Sequence, residues 1–300
     1  YCYFSWRRIC VHILEEDLLY ILRTARNHNV IGKDEQKCFG EIVIAIAGLS
    51  VGSSAARIAV LLGARRLRIA DKDYIGPSNL NRMLCGVQDI GRLKAETVAE
   101  SLYETDPYLD LFASSLAINN ETIDQFLGDH GAAADIIIDE VDDLDAKITL
   151  RKAAAKRGIP LLSAVDNGDS VLVDIERYDR DYDIDLFFKK LEASGTLSSA
   201  KTAREKAVII TRFIGPEDLE TGVLKSILDV GEILYSWPQL GATAVLAASA
   251  IVYCIRHIII RDVLESGRYV VSLPSSMHVQ DPLLALRPDF IKVLYEKKDS

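Results

Sequence analysis

The sequence predicts an α/β protein with a Rossmann-like, doubly wound and mainly parallel sheet, carrying an antiparallel extension and a helical insertion. Three observations lead there. In Glu41 to Arg82, the apolar run Ile42-Val43-Ile44-Ala45-Ile46-Ala47 enters the turn Gly48-Leu49-Ser50-Val51-Gly52. A helical spacing of Ala55, Ile58, Ala59 and Leu62 follows and stops at Gly63, and Arg66 to Ala70 then reads as a second strand ending at Asp71, which completes a βαβ unit. Second, Asp135-Ile136-Ile137-Ile138-Asp139 is the unbroken apolar run of a strand buried on both faces. Third, Val171, Val173 and Ile175 alternate with polar neighbours over Ser170 to Tyr178, as in an antiparallel strand with one wet face. Residues 1–40 are expected to be an N-terminal helical arm, 41–273 the Rossmann-like domain with a helical or loop insertion at 179–235, and 274–300 a C-terminal extension.

In the arm, Leu14, Leu18, Leu19 and Leu22 have the spacing of an amphipathic helix, and no basic-then-apolar secretory pattern is present. The chain starts at Tyr1 without methionine, so a fragment of something longer is an open expectation. Arg23 and Arg26 form a basic turn ahead of the βαβ unit, where arginines suit a helix C-terminus.

Glycines at a strand-to-helix turn let a phosphate approach the backbone, the helix N-terminus supplies free N–H groups, and an acid about 20 residues on can hold a ribose hydroxyl. Gly48, Gly52 and Asp71 fit those places, although Ser50 stands where the fingerprint has its second glycine, and such turns also occur without a ligand. Asp71-Lys72-Asp73-Tyr74-Ile75-Gly76-Pro77-Ser78-Asn79-Leu80-Asn81-Arg82 then gathers acids, amides and an arginine suited to phosphate oxygens; a solvated polar loop has the same composition. From Ile90, Gly91-Arg92-Leu93-Lys94 opens a helix that closes at Asp106-Pro107. Lys94 in its first turn opposes the helix dipole, which points to a role other than helix stability.

Leu109 to Leu116 reads as a strand and Glu121 to Leu127 as a short helix. Asp139, Asp142 and Asp143 are expected at the carboxyl face of the sheet, and one of the last two is suited to N-cap the helix Leu144 to Lys156. Gly158 to Val165 is a further buried strand. Asp179 to Leu228 shifts composition, from the acidic and aromatic Tyr178 to Asp185 to the small and polar Ser194 to Lys206. This insertion is the candidate for partner specificity, or else an ordinary helical excursion. Ser236-Trp237-Pro238-Gln239-Leu240-Gly241 precedes an apolar helix, Ala242 to Leu264, whose uncharged part ends at Arg256, short of the ~20 residues that span a bilayer. It is expected to be a core helix or a dimer face. Tyr269 to Leu273 is a last strand, and Pro274 to Ser300 is expected to pack poorly.

With 300 residues and 49% hydrophobic content the chain can bury a large core, and a net charge of −9 argues against non-specific nucleic-acid binding. The five cysteines contain no C-x-x-C pair, so neither a disulfide framework nor a zinc site is expected, and a cytoplasmic location fits.

Taken together, D-x-D…SNLNR at 71–82, Gly91-Arg92-Leu93-Lys94, Asp139-Glu140-Val141-Asp142-Asp143 and the late P-Q-L-G resemble the ThiF/MoeB/ubiquitin-activating adenylyltransferase superfamily. The resemblance implies an enzyme that binds ATP and Mg²⁺ and adenylates a carboxylate with release of pyrophosphate. That carboxylate is expected to be the C-terminus of a small carrier or ubiquitin-like protein, with a short peptide or a tRNA-borne carboxylate as alternatives. It implies catalytic roles for Arg82, Lys94, Asp142 and Arg26, with Arg26 and, less directly, Arg23 lent to the site, in several members that of the other protomer of a homodimer. It places Gly48, Ser50, Gly52, Asp71, Asp73, Asn79 and Asn81 around the nucleotide and Mg²⁺ on Asp142. The crossover cysteine of the fuller members is missing between Cys85 and Cys254, which argues against a thioester or persulfide step. An NAD(P)-dependent Rossmann oxidoreductase would share the βαβ unit and Asp71, and a catalytically silent nucleotide-binding interaction protein would tolerate the altered glycine loop.

Overall fold

The computed structural model describes residues 1–129, 133–180, 183–194, 202–234, 237–261 and 263–295. Strands β1 (Cys2–Phe4) and β2 (Ile9–Val11) form an antiparallel hairpin separate from the main sheet, followed by α1 (Glu16–Thr24) and α2 (Lys33–Glu41). The arm is therefore not helical throughout. Its turn, with Arg8 at φ 54°, is held where Trp6 Nε1 and Arg7 Nε donate to Glu104 at 2.6 and 2.7 Å.

The main sheet comprises β3 (Val43–Ala47), β4 (Arg66–Ala70), β5 (Asp110–Ser114), β6 (Ile136–Asp139), β7 (Leu161–Asn167), β8 (Ser170–Glu176) and β9 (Gly267–Ser272), in the order β5-β4-β3-β6-β7-β8-β9. The pairings from β5 through β7 are parallel, and those of β7 with β8 and β8 with β9 are antiparallel. The chain winds from β3 outward through β4 and β5, then returns to place β6 on the other side of β3. The carboxyl ends of β3 and β6 are thus the switch point at which open α/β sheets form a ligand crevice.

The connecting helices are α3 (Gly52–Leu62), α4 (Lys94–Tyr103), α5 (Ile123–Leu127) and α6 (Leu144–Arg157); the insertion supplies α7 (Ile184–Ser194), α8 (Ala203–Ile214) and α9 (Thr221–Leu228); α10 (Gly241–Ile255), α11 (Leu273–Ser276) and α12 (Arg287–Tyr295) complete the chain. One face of the sheet buries α3, α4 and α10, the other α5 and α6. Small residues permit the closest contact: Ala55, Ala56 and Ala59 of α3 and Ala244, Ala247 and Ala248 of α10 are all solvent-inaccessible.

Strand β8 has no wet face. Val171, Val173 and Ile175 join the core under α10, and Leu172 joins a third apolar cluster beneath α8, α9 and α12. The polar positions that suggested exposure are held by distant partners: Ser170 by Glu220, Asp174 by Arg268 and Glu176 by Arg151. Most described residues of the C-terminal extension are exposed, and α12 is anchored through buried Leu294, whose carbonyl accepts from Arg212 Nε at 2.9 Å.

Helix α10 continues as a π-helical segment, Arg256–Ile260, instead of running to Leu264. By length and composition Gly241–Ile260 would suffice to cross a membrane, but it is mostly buried against α3, β7 and β8, as a core helix is. Its far end is fixed by Arg256 and Arg261, which both donate to Glu35. Asp181 and Tyr182 of the acidic-aromatic stretch, and residues 195–201 of the small polar one, lie outside the described residues.

Candidate nucleotide and acyl site

At the switch point Gly48 has φ +85°, and a Cβ there would lie 2.3 Å from the Glu140 carbonyl oxygen and 2.8 Å from the Val141 nitrogen. Only glycine lets the β3 turn approach the β6 turn this closely. A Cβ on Gly52 would meet Ile46 at 2.9 Å, so that residue brings the start of α3 down onto β3. Ser50, between them, has a use of its own: its Oγ accepts from Arg82 Nε at 2.7 Å. A glycine could not make that contact, which gives a physical reason for the departure from the usual loop.

Asp71 closes the loop from the β4 side. One oxygen accepts from the Leu49 amide at 2.7 Å and the other from the Asp73 amide at 2.8 Å. Lys94 is the first residue of α4, buried, with Nζ 3.1 Å from Asp73 and 3.7 Å from Asp71. Two acids opposite its ammonium explain how a lysine persists at a helix N-terminus. Gly48, Ser50, Asp71, Asp73, Lys94 and Asp142 all line one cavity of about 330 Å³.

The 71–82 loop is braced from both ends. Asn79 Oδ1 accepts from the Gly76 amide at 2.9 Å, and Asn79 is buried, so its acceptor shapes the turn. Asn81 Nδ2 donates to the Gln239 carbonyl at 2.8 Å, and a Cβ on Gly241 would stand 2.3 Å from the Asn81 carbonyl oxygen. The late P-Q-L-G segment thus seats the loop, and Arg82 is aimed by Ser50, the Ser78 carbonyl and Asn81 Oδ1, the last two at 2.9 Å. Arg82 does not line the small cavity. It lines a second one of about 660 Å³, which shares Ser50, Glu140, Val141 and Asp142 with the first.

The acids after β6 divide. Asp143 Oδ1 accepts from the Ala146 amide at 2.9 Å and N-caps α6, which leaves Asp142 exposed on the boundary of both cavities. Asp139, expected at the ligand face, is instead wholly buried between Arg151 Nη1 at 2.6 Å and Lys147 Nζ at 3.1 Å. Arg151 continues to Glu176 at 2.7 Å, and Tyr178 donates to the other oxygen of Glu176 at 2.6 Å. Burial alone would raise the Asp139 pKa, but the two cations hold it below the usual range. Burial pushes Glu140 well above that range, and its Oε1 accepts from the Ala164 amide at 3.0 Å. Among the described residues no group of three or more His, Cys, Asp or Glu is arranged for a metal ion. Asp142, a single exposed carboxylate at the edge of both cavities, could serve a cation that takes one protein carboxylate and completes its shell with phosphate oxygens and water, as Mg²⁺ does.

Arg26, expected to reach a phosphate, is exposed on the arm and lines neither cavity; Arg23 is engaged with Asp106 at 2.9 Å and with the Val60 carbonyl. Sequence reasoning missed Lys147, Arg151 and Asp166. The first two are one turn apart on α6, a doublet that a buried acid at the end of the preceding strand makes meaningful. Asp166 interrupts the run Leu161 to Val165, and a lone acid late in an apolar strand was the available signal.

A model of the ThiF family matches residues 23–201. An uncharacterised protein of Mycobacterium tuberculosis, MT1398, is 34% identical over 282 residues, 92% of this chain but 38% of its own length. The tRNA threonylcarbamoyladenosine dehydratase of Bacillus subtilis is 32% identical over 143 residues, 47% of this chain and 55% of its own. The chain thus spans about two fifths to about half of the length of these relatives. Among solved structures, the E. coli tRNA N6-threonylcarbamoyladenosine dehydratase in complex with ATP superposes with TM-score 0.57 at 18% identity, covering 83% of this chain and 98% of that one, a likeness of fold. With the family model matched over more than half its length, the chain belongs to the ThiF family.

Proposed function

We propose that this chain adenylates a carboxylate at the expense of ATP, and that the carboxylate is the C-terminus of a small carrier or ubiquitin-like protein. The single observation that carries the reading is the pair of cavities meeting at Ser50, Glu140, Val141 and Asp142. The smaller one has the features of a nucleotide site: a glycine turn at the switch point that leads into α3, and a buried lysine beside Asp71 and Asp73. The larger one receives the acyl group. Family membership supports the same assignment.

In the step itself, a carboxylate oxygen attacks the α-phosphorus, the bond from that phosphorus to the bridging oxygen breaks, and pyrophosphate leaves with the electron pair. The chain needs no nucleophile of its own for this. Arg82, held by Ser50 at the border of the two cavities, neutralises charge that develops on the phosphoryl oxygens, and Lys94 does so from the opposite side. Asp142 would hold Mg²⁺, whose chemistry here is to neutralise and align the pyrophosphate. Arg26 lines neither cavity of its own chain, so any phosphate contact it makes is in a second protomer's site, which makes a homodimer part of this reading.

The test is ATP–pyrophosphate exchange with magnesium, adding fractions of small proteins from the source cell one at a time. Exchange should appear with one fraction and fall about 10²–10³-fold in Arg82→Ala and in Asp142→Ala. If both variants exchange like the unaltered protein, the roles assigned here are wrong. ATP binding without exchange in any fraction would favour a silent nucleotide-binding protein.

A further inference from the structure

Asp166, next to the end of β7, is 5% exposed and lines the larger cavity. Neither of its carboxylate oxygens meets strict hydrogen-bond geometry with a donor; the Gln239 side chain makes only a loose hydrogen bond to it, which lowers its pKa without offsetting burial. Arg82 and Asp142 are close enough to act on it through charge, which places it beside the boundary where the two cavities meet. Every other acid of the buried cluster is engaged: Asp139 and Glu176 by Arg151, and Glu140 by the Ala164 amide. A buried acceptor left unpaired costs about 1–3 kcal/mol, and more if it is charged, so a fold retains one where a ligand supplies the missing donor.

We propose that Asp166 is a substrate-recognition residue: it accepts a hydrogen bond from an N–H on the carbon next to the carboxylate that is activated. The inference rests on the adenylation reading and narrows its substrate class. An acyl group bound at this boundary places its α-nitrogen, three bonds from the reacting oxygens, within the larger cavity and against Asp166. The C-terminal residue of a peptide carries such an N–H as an amide, and a free amino acid carries it as an ammonium. A simple carboxylic acid carries none and would leave the Asp166 oxygens buried and unpaired. Specificity of this kind is strong because the wrong substrate forfeits the bond and also strands the acceptor.

Stable mimics of the acyl adenylate test this without knowledge of the natural substrate. 5′-O-[N-(N-acetylglycyl)sulfamoyl]adenosine and its 4-oxopentanoyl counterpart differ only by N–H against CH₂, and the glycyl compound presents the free amine. Calorimetry without divalent cations should give tighter binding of the N-acetylglycyl compound than of the 4-oxopentanoyl one, by about tenfold or more. The glycyl compound shows whether amine or amide is preferred. The difference should collapse in Asp166→Ala and persist in Asp166→Asn, which keeps an acceptor oxygen, while 5′-O-sulfamoyladenosine binds all three proteins alike. Asp166→Ala should unfold in urea close to the unaltered protein, since only the loose Gln239 contact and the attraction of Arg82 are lost while a buried charge is removed.

Equal affinity for the matched pair, or a preference that survives Asp166→Ala, overturns the proposal while leaving adenylation standing. A preference that appears only with Mg²⁺ overturns it in favour of a metal ligand, and a marked loss of stability in Asp166→Ala in favour of a structural role. Failure of 5′-O-sulfamoyladenosine itself to bind overturns the nucleotide assignment as well.

Discussion

Replacing Gly48 by alanine separates two costs that the turn after β3 combines. With φ +85°, Gly48 lies in the left-handed region, where an L-residue loses about 1–2 kcal/mol. Its Cβ would also overlap the Glu140 carbonyl oxygen at 2.3 Å and carbon at 2.5 Å, both backbone atoms with no rotamer to move away, and forced overpacking costs about 1–3 kcal/mol more. Gly91 supplies the control, with φ +86° and nothing within 4 Å of an added Cβ. Urea unfolding should therefore show Gly91→Ala destabilised by about 1–2 kcal/mol and Gly48→Ala by about 2–5 kcal/mol. Relief of the overlap pushes the β6 turn away and displaces Glu140 and Asp142, so ATP binding should weaken in Gly48→Ala and hold in Gly91→Ala. Equal destabilisation of the two variants would refute the close approach of the β3 and β6 turns, and with it the stated reason for glycine at the switch point.

The buried ion network gives a second prediction. Arg151→Ala leaves buried Asp139 with Lys147 alone and buried Glu176 with Tyr178 alone, so a loss of about 3 kcal/mol is expected in urea unfolding at pH 7, against little change for truncation of the exposed Arg66 to Asp110 pair. Asp166 gives a third, in pH. Its pKa is raised by burial from 3.8 to about 6, so the folded chain holds the proton more tightly than the unfolded one; that contribution is complete below pH 3.8 and is lost as pH rises through 6. Asp166→Asn should accordingly gain stability over the unaltered protein as pH rises, with the gap larger at pH 8 than at pH 5 by about 1–1.5 kcal/mol. A gap independent of pH would show that Asp166 is solvated.

The elements that sequence made legible are those whose own residues carry an unbroken signal. Strands β3 and β6 are buried on both faces, by α3, α4 and α10 on one side and α5 and α6 on the other, so unbroken apolar runs announce them. The stops of α3 at Gly63 and α6 at Gly158, both left-handed, are also local. Strand β8 misled because Ser170, Asp174 and Glu176 are paired by residues 25 to 94 positions away. The hairpin of β1 and β2 escaped notice because three-residue strands leave too few positions for any period to register. In the site, the glycines and Arg82 were legible as a motif, whereas the orphaned acceptor of Asp166 is a property of what does not face it, which no local pattern records.

The five residues from the end of β6, 139–143, show why position at the carboxyl end of a strand does not by itself make an acid a ligand. Asp139 still belongs to the sheet, and its full burial would be untenable without Arg151 and Lys147; once paired, it has no oxygen to offer a metal. Glu140 turns back towards β7, where the Ala164 amide occupies one oxygen and enclosure favours its neutral form. Asp143 faces the first turn of α6 and is used by the Ala146 amide. Asp143 is exposed too, and Glu140 also lines both cavities, but Asp142 combines the two and has no cap to make. Charge, spacing and motif membership are shared by all four acids, so burial and pairing select among them. By the same reasoning Asp166, buried yet unpaired, is the acid with capacity left for a neutral donor, and Asp142, open and beside the nucleotide cavity, is the one with capacity left for a cation.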